Sequence, residues 1–566
     1  MDSENNRTVI TVIRRIVFAG LIILIAWFLL IALRGAISED LIRKMNEGEK
    51  PEEFISYDTA TWDWTVSLRT GEPVSGIIGE RLDETIQFIS LCALSSFILA
   101  AILLTLGYFT GKATARPAWL ARIISILRLL LVSNGVSTPV FAVGTVFVIF
   151  ITVGGTQSLQ PDSLLLKIWT VCFSSLLPAW LLVQYGHGEL ANLNENTPAP
   201  ILVRHMAIRL IIRLLKMVGI IIVISMSAGL LMYRGLGSVL VSHIYMGDFP
   251  VIFGITWLFI IIVTVVKLIA GLAEIAYNHY MTPISLQEED EEWTPLRLAI
   301  PNGWLIFCFV LVAVSALVAL IGPYLAPYGY NEIILADRVA PPSAMHILGA
   351  DNLGRDIFSR ILYGIRIDVF AGLTCAVMMP IIATGWAMLS IYVKKAGSWL
   401  GDTLEELVML PVELACAFPW LALLLLIMSM QLRDISIFII SLVIGLILLP
   451  RAVVMIREAY ISSPAERSWI KNLLLTLPSM LIFVVAAGIL YLSTASYLGL
   501  GVPPPSPELG SMLAGTGRQY MLEAPWMTRW PVICLSLLLT IWVMAGDALL
   551  EKLGFRSKAV WAKAME

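Results

Sequence analysis

A chain of 566 residues that is 58% hydrophobic and only 14% charged cannot clothe a water-soluble fold of its size in polar surface. Its mean hydropathy is +0.85, and a formal net charge of −3 provides no basic field for phosphates, so no nucleic-acid partner is expected. Apolar runs of about 18 residues or more recur along the chain, which predicts an all-α polytopic membrane protein with the lipid bilayer as its solvent.

In chain order, residues 1–15 are polar, with Arg7, Arg14 and Arg15 against Asp2 and Glu4. The apolar run Ile16–Leu33 has no small-residue cleavage signal after it and is expected to be a signal-anchor helix. Its basic flank places the N-terminus in the cytoplasm. An external segment is expected over 35–84; from Ser38 to Glu84 it carries 12 acids and 5 bases. A span near Ile86–Phe109 ends in the basic turn Gly111–Arg116. The stretch Gly107–Lys112 has the flavour of a phosphate loop, but it is one residue short and Ala113 replaces the hydroxyl that would hold magnesium. It reads as a loop.

The third span, near Ile123–Ile151, is broken by a polar run holding Asn134, Ser137 and Pro139. Polar groups in lipid need partners, so this break either lines a solute path or forms a packed kink. Further spans fall at Ile168–Tyr185, Leu210–Tyr233 and Val251–Ala276. Lys267 lies inside the last of these and either snorkels to the membrane surface or acts as a ligand. Met281–Leu298 then holds five consecutive acids, Glu288, Glu289, Asp290, Glu291 and Glu292, and is expected to be a solvated connector.

After the connector the pattern repeats. Spans are expected at Trp304–Tyr324, Val369–Val393, Leu407–Met430, Ile435–Ile456, Leu473–Leu492 and Val532–Leu550, with an amphipathic helix lying along the interface after Asp356. Twelve spans divide the chain into a first half (1–282), an acidic cytoplasmic linker (283–298) and a second half (299–566), with both termini inside. Glu413 is the best-placed carboxylate within a span; it meets either a substrate amine or Arg451 on the neighbouring helix. With Pro419 it marks a second polar break on the path. The six cysteines all fall inside apolar spans without metal-ligand spacing, and the five histidines are scattered. No metal, cofactor or enzyme motif is found.

Several motifs resemble the permeases of oligopeptide and dipeptide (peptide/nickel) ABC transporters. His346–Ile367, reading HILGADNLGRDIFSRILYGIRI, is similar to the segment that opens the second subunit type. So are Tyr497–Pro507 (YLGLGVPPPSP), Gly510–Leu513, Ala524–Trp526, Ala417–Pro419, Pro450-Arg451 and Gly546-Asp547. Shorter matches in the first half resemble the partner subunit: Ser67–Pro73 (SLRTGEP), Glu80–Leu82, Gly235–Gly237 and Asp248–Val251. The resemblance implies a natural fusion of two ABC type I importer permeases in the cell membrane. It implies separate cytoplasmic ABC ATPase subunits and an extracytoplasmic substrate-binding protein as partners. It also implies a cytoplasmic coupling loop with an EAA pattern after the fourth span of each half. The corresponding stretches are Gly188–Val203, with Glu189 and then Arg204 and His205, and Glu458–Ser468, with Glu458, Glu466 and Arg467. Neither keeps the pattern, both are short by roughly a helix of two to three turns, and Pro198 and Pro200 are expected to break the first. Three functions follow as alternatives: a peptide-importing permease, a non-transporting membrane scaffold with lost ATPase coupling, and an ion-driven carrier using Lys267, Glu413 and Arg451.

Overall fold

The computed structural model describes residues 2–36, 65–112, nine positions between 171 and 186, 199–219, 221–222, 235–281, 302–394, 399–417, 436–461, 469–497 and most of 499–552. Among them there is no β-strand, only the isolated bridges Val66–Pro73 and Ala350–Asp356. The helices with defined bounds are α1 (Asp2–Ala36), α2 (Val74–Lys112), α3 (Ala199–Lys216), α4 (Leu236–Met246), α5 (Phe249–Met281), α6 (Asn302–Leu325), α7 (Ile357–Lys394), α8 (Trp399–Ala417), α9 (Ile437–Ile461), α10 (Trp469–Tyr497), α11 (Leu509–Leu513) and α12 (Trp526–Lys552). Eight of them, α1, α2, α5, α6, α7, α9, α10 and α12, are long and apolar enough to cross a membrane. Each coincides with an expected span. Of the other four, the third lies outside the described residues and the fourth is described only at scattered positions. The fifth is described to Ile222, and the one beginning at Leu407 to Ala417.

In lipid every backbone polar group must be satisfied within its own segment, which is why these runs fold as helices even where they contain proline. Pro323, Pro380, Pro411, Pro450, Pro478 and Pro531 all sit inside helices. On α6 the exposed residues Ile306, Val310, Val314, Leu317, Ile321 and Tyr324 form one stripe at helical spacing. Such a stripe is stable only against acyl chains. One hydrophobic core is built wholly from buried residues from Cys308 onward. A second runs from Ile22 to Val263 and takes in Leu410 and Leu414 of α8. The helix α8 thereby joins the two sets.

Four sequence expectations are corrected. The amphipathic stretch after Asp356 is no separate interfacial helix: it is the first part of α7, which has 38 residues. At 1.5 Å per residue that is about 57 Å, far more than the ~30 Å hydrocarbon thickness. Asp356 caps its start, with Oδ2 accepting from the Ser359 N–H and hydroxyl, both at 2.7 Å. Pro200 does not break the chain; it lies in the first turn of α3, where its missing N–H costs nothing. Glu458 is not in a loop, because α9 continues to Ile461. Likewise the segment expected over 35–84 gives way to α2 at Val74, so Glu80–Glu84 are helical.

At one end of the bundle two caps cover the helix termini. In the first, the Asp248 carboxylate receives the Ser67 hydroxyl at 2.5 Å and the Leu68 N–H at 3.1 Å. In the second, buried His346 lies between Asp356 at 3.0 Å and Asp337 at 3.3 Å, and Asp351 binds the Arg355 Nε at 2.7 Å. Gly354 has φ +76, and a β-carbon there would run into the Ile334 carbonyl. Gly354→Ala is therefore expected to cost about 2 kcal/mol or more, whereas Gly20→Ala, which meets nothing within 4 Å, should be neutral or mildly stabilising. Thermal midpoints of the two detergent-purified variants, compared with the parent, check this.

Burial alone would lower the His346 pKa, but the hydrogen bonds and charges of Asp356 and Asp337 reverse this and leave it raised above the ordinary 6.5. A raised folded-state value means that the stabilisation is complete below about pH 6.5 and is lost as pH climbs through the raised value. Thermal stability measured against pH should fall across that window in the parent chain. In His346→Gln that part of the slope should vanish, and equal slopes in the two proteins would contradict the assignment.

Candidate functional site at the seam between the helix sets

The end of the bundle where α1 begins is organised by charge. Helix α8 opens with Asp402, Glu405 and Glu406, and each meets a cation from another helix. The Arg14 Nε of α1 approaches Glu406 Oε1 at 2.6 Å, with Asp402 3.9 Å from its Nη1. Glu405 is bound by Arg457 of α9 and, at 3.2 Å, by Lys394 of α7. Arg457 also holds Glu458 at 3.1 Å. On the neighbouring surface α3 docks on the last turns of α5 through a basic face. Lys216 binds Glu274 at 2.8 Å, Arg209 donates to Asn278 at 3.0 Å, and the Tyr277 hydroxyl meets His205 Nδ1 at 2.7 Å. Arg213 stacks over Tyr185, 4.6 Å from its ring centre.

Seven residues further along α8 from Glu406 lies Glu413, and seven residues back along α5 from Glu274 lies Lys267. Six residues back along α9 from Arg457 lies Arg451. These offsets put all three about 10 Å deeper than the paired groups, roughly two helical turns. Here the charges are open. Glu413 is exposed, Lys267 and Arg451 are half-buried, and among the described residues none of the three makes an ion pair or hydrogen bond. Lys267 is nonetheless within electrostatic range of both Glu413 and Arg451. Lys267 acts on Glu413 more strongly than any other charge, ahead of Arg457 and Arg15. Arg15 itself crosses the face of Gly271 on α5, a position where a β-carbon would strike its guanidinium. Charges from α1, α5 and α9 thus surround the exposed Glu413 carboxylate, and an unpaired charge in hydrocarbon is expensive.

The residues singled out in the sequence divide accordingly. Glu413 and Arg451 come to the seam, but the dominant opposite charge for Glu413 is Lys267 from the earlier helix set, not Arg451. Lys267 is half-buried on α5, within electrostatic reach of Glu413. Of the coupling-loop residues, Arg204 is exposed on α3, His205 is held by Tyr277, and Glu458 is buried against Arg457. Asn134, Ser137, Pro139, Glu189, Pro419, Glu466 and Arg467 lie outside the described residues. Sequence reasoning missed Asp402, Glu405 and Glu406. The signal was present as acids at i and i+4 that start an apolar span, since such acids need cations from elsewhere.

No family model matches the chain. A putative peptide transport system permease protein of Brucella suis is 30% identical over 267 residues, which covers 44% of this chain and 86% of that protein. The chain belongs to the peptide ABC-transporter permease family. The dipeptide transport system permease protein DppC of Haemophilus influenzae is 29% identical over 277 residues, with 44% of this permease and 90% of that protein covered. The glutathione transport system permease protein GsiD of Pectobacterium atrosepticum is 28% identical over 268 residues, with 44% and 86% covered. More than half of this permease thus lies beyond each of these matches.

The contact of Arg14 with Glu406 ties α1 to α8, and the two side chains are 23% and 27% exposed. A double-mutant cycle on thermal unfolding should give a coupling of about 0.5–1 kcal/mol. Arg14→Glu and Glu406→Arg should each destabilise, and the doubly reversed protein should recover at least half the loss. Strict additivity would contradict the pair.

Proposed function

We propose that this permease consists of two fused permease halves, 1–282 and 299–566, joined by the acidic stretch 283–298. It serves as the membrane part of an importer for oligopeptides, dipeptides or similar small solutes. Separate ABC ATPase subunits would act on the cytoplasmic side, where α1 begins and the connector lies, and a substrate-binding protein would deliver solute at the capped end. The basic flank of α1 supports that orientation. The observation that carries the proposal is the seam. Opposite charges from α5, α8 and α9 stay open two turns inside a ring of closed ion pairs, as a solute route through lipid requires. The closed pairs near the α1 end would act as the inner gate, and binding of ATP by the partner subunits would rock one half against the other.

A specific observation favours one alternative, a non-transporting scaffold derived from such a permease. Between the end of α9 at Ile461 and the start of α10 at Trp469 only seven residues remain, too few for a coupling helix of two to three turns with its connections.

Two measurements separate these. Deleting the gene should abolish most uptake of radiolabelled short peptides by native cells, and gentle detergent extraction should retain an ATPase subunit whose hydrolysis peptide stimulates. Unchanged uptake together with no retained ATPase would favour the scaffold.

A further inference from the structure

Among the described residues, the buried acids Asp248, Asp351, Asp356, Glu405, Glu458 and Glu508 each accept from a named donor. Asp368 of α7 is the exception. It is fully buried, and neither of its carboxylate oxygens meets a donor among the described residues. Contacts along its helix face show what lies opposite. Gly364, Asp368 and Gly372 recur every four residues and share one face of α7. A β-carbon on Gly364 would stand 3.3 Å from the Pro507 carbonyl oxygen and 3.3 Å from the Leu509 side chain. One on Gly372 would stand 2.7 Å from the Val485 carbonyl oxygen and 3.1 Å from Ile489 of α10. Between Pro507 and Leu509 lies Glu508, also fully buried. One turn beyond Ile489, the Ser493 hydroxyl donates to Glu508 Oε1 at 2.7 Å. Asp368 is therefore enclosed between α10 and the turn that carries Glu508.

The Glu508 carboxylate is fully engaged as an acceptor. Besides Ser493, Oε1 receives the Gly510 N–H at 2.8 Å and Oε2 the Ser511 N–H at 2.7 Å. Three donors suit the ionised form. Among the described residues of every helix packed around Asp368, Glu508 is the one charged group that bears on it, and it has the same sign. Two carboxylates shut away together without a cation do not both ionise. We propose that Asp368 and Glu508 form a buried proton-binding site that latches the turn 507–511 onto α7. The proton sits on Asp368, whose O–H donates to the Glu508 carboxylate. Its release to water leaves two like charges in a space closed to solvent, and the turn is driven off α7. The latch stands apart from what the permease carries.

The test uses the full-length permease in lipid nanodiscs, isotopically labelled at the aspartate side-chain carboxyls. At neutral pH its infrared spectrum should show a protonated-acid C=O stretch that shifts with the label and with heavy water. The band should disappear at alkaline pH and be missing from Asp368→Asn, whose amide keeps a donor toward Glu508. If that variant does not fold, the labelled band of the parent alone decides. Because the folded chain holds a proton that the unfolded chain releases, this site loses stability as pH rises. Thermal midpoints of the parent and Asp368→Asn should agree in acid, and the parent should drop below the variant toward alkaline pH. The His346 contribution is common to both proteins and cancels. A spectrum with no label-sensitive acid band, or equal pH slopes in the two proteins, would overturn the site. So would a sodium-dependent rise in the parent's midpoint at neutral pH that Asp368→Asn lacks, since a cation would then take the place of the proton.

Discussion

A charged side chain inside a bilayer persists only opposite another charge, or beside water, and α8 is built around that constraint. Its first two turns carry three acids, Asp402, Glu405 and Glu406, and cations from α1, α7 and α9 are brought to them. Lys394 reaches Glu405 from the end of the preceding helix, but Arg14 and Glu406 are separated in the chain by every helix from α2 to α7. Isolated surface pairs contribute little to stability, but here Glu405 is buried and Glu406 half-buried, with Asp402 alone of the three exposed. Removing one partner would leave the other uncompensated, which is the costlier change. The ring therefore fixes the position of α8 more firmly than apolar contact alone.

Packing agrees with this placement. Leu410 and Leu414 of α8 belong to the core of the earlier helices, while the remaining core of the later helices closes on itself. The helix α8 is thus shared, apolar on one face and charged on the next, and it lies where the two sets meet. The capped end contrasts with it. There the contacts are neutral or charge-assisted hydrogen bonds to backbone and turns, such as Ser67 and Leu68 on Asp248 or the Glu508 carboxylate on the Gly510 and Ser511 N–H groups. One end of the bundle is held by turn geometry and by ion pairs local in sequence such as Asp351–Arg355, the other mainly by ion pairs between separate helices, which a change in charge or distance can release.

Long uninterrupted apolar runs are legible in sequence because lipid leaves no other use for them, and each of the eight membrane-length helices among the described residues coincides with such a run. The expected start of one span at Leu407 was late. Three acids argue against a membrane helix when only neighbours in sequence are weighed, and Arg14 is too distant in the chain to be weighed. Glu413 is expected from the sequence to meet a substrate amine or Arg451 on the next helix, and among the described residues it pairs with no side chain; the charge of Lys267, on a helix far away in sequence, also bears on it. Pro200 failed as a helix breaker because proline is harmful only beyond the first turn. The motif His346–Ile367 was visible as a family resemblance, yet its Asp337–His346–Asp356 bracket depends on a residue upstream of the motif.

The central claim is that the space around Glu413 is open to water within the membrane-embedded seam. It is tested most directly by thiol labelling in native membranes, comparing Glu413→Cys with Leu446→Cys, where Leu446 is an apolar residue 60% exposed in the membrane-spanning part of α9. A water-soluble maleimide, with modification at each position read by peptide mass spectrometry, should label position 413 and leave position 446 unmodified. Equal protection of both positions would contradict a hydrated seam.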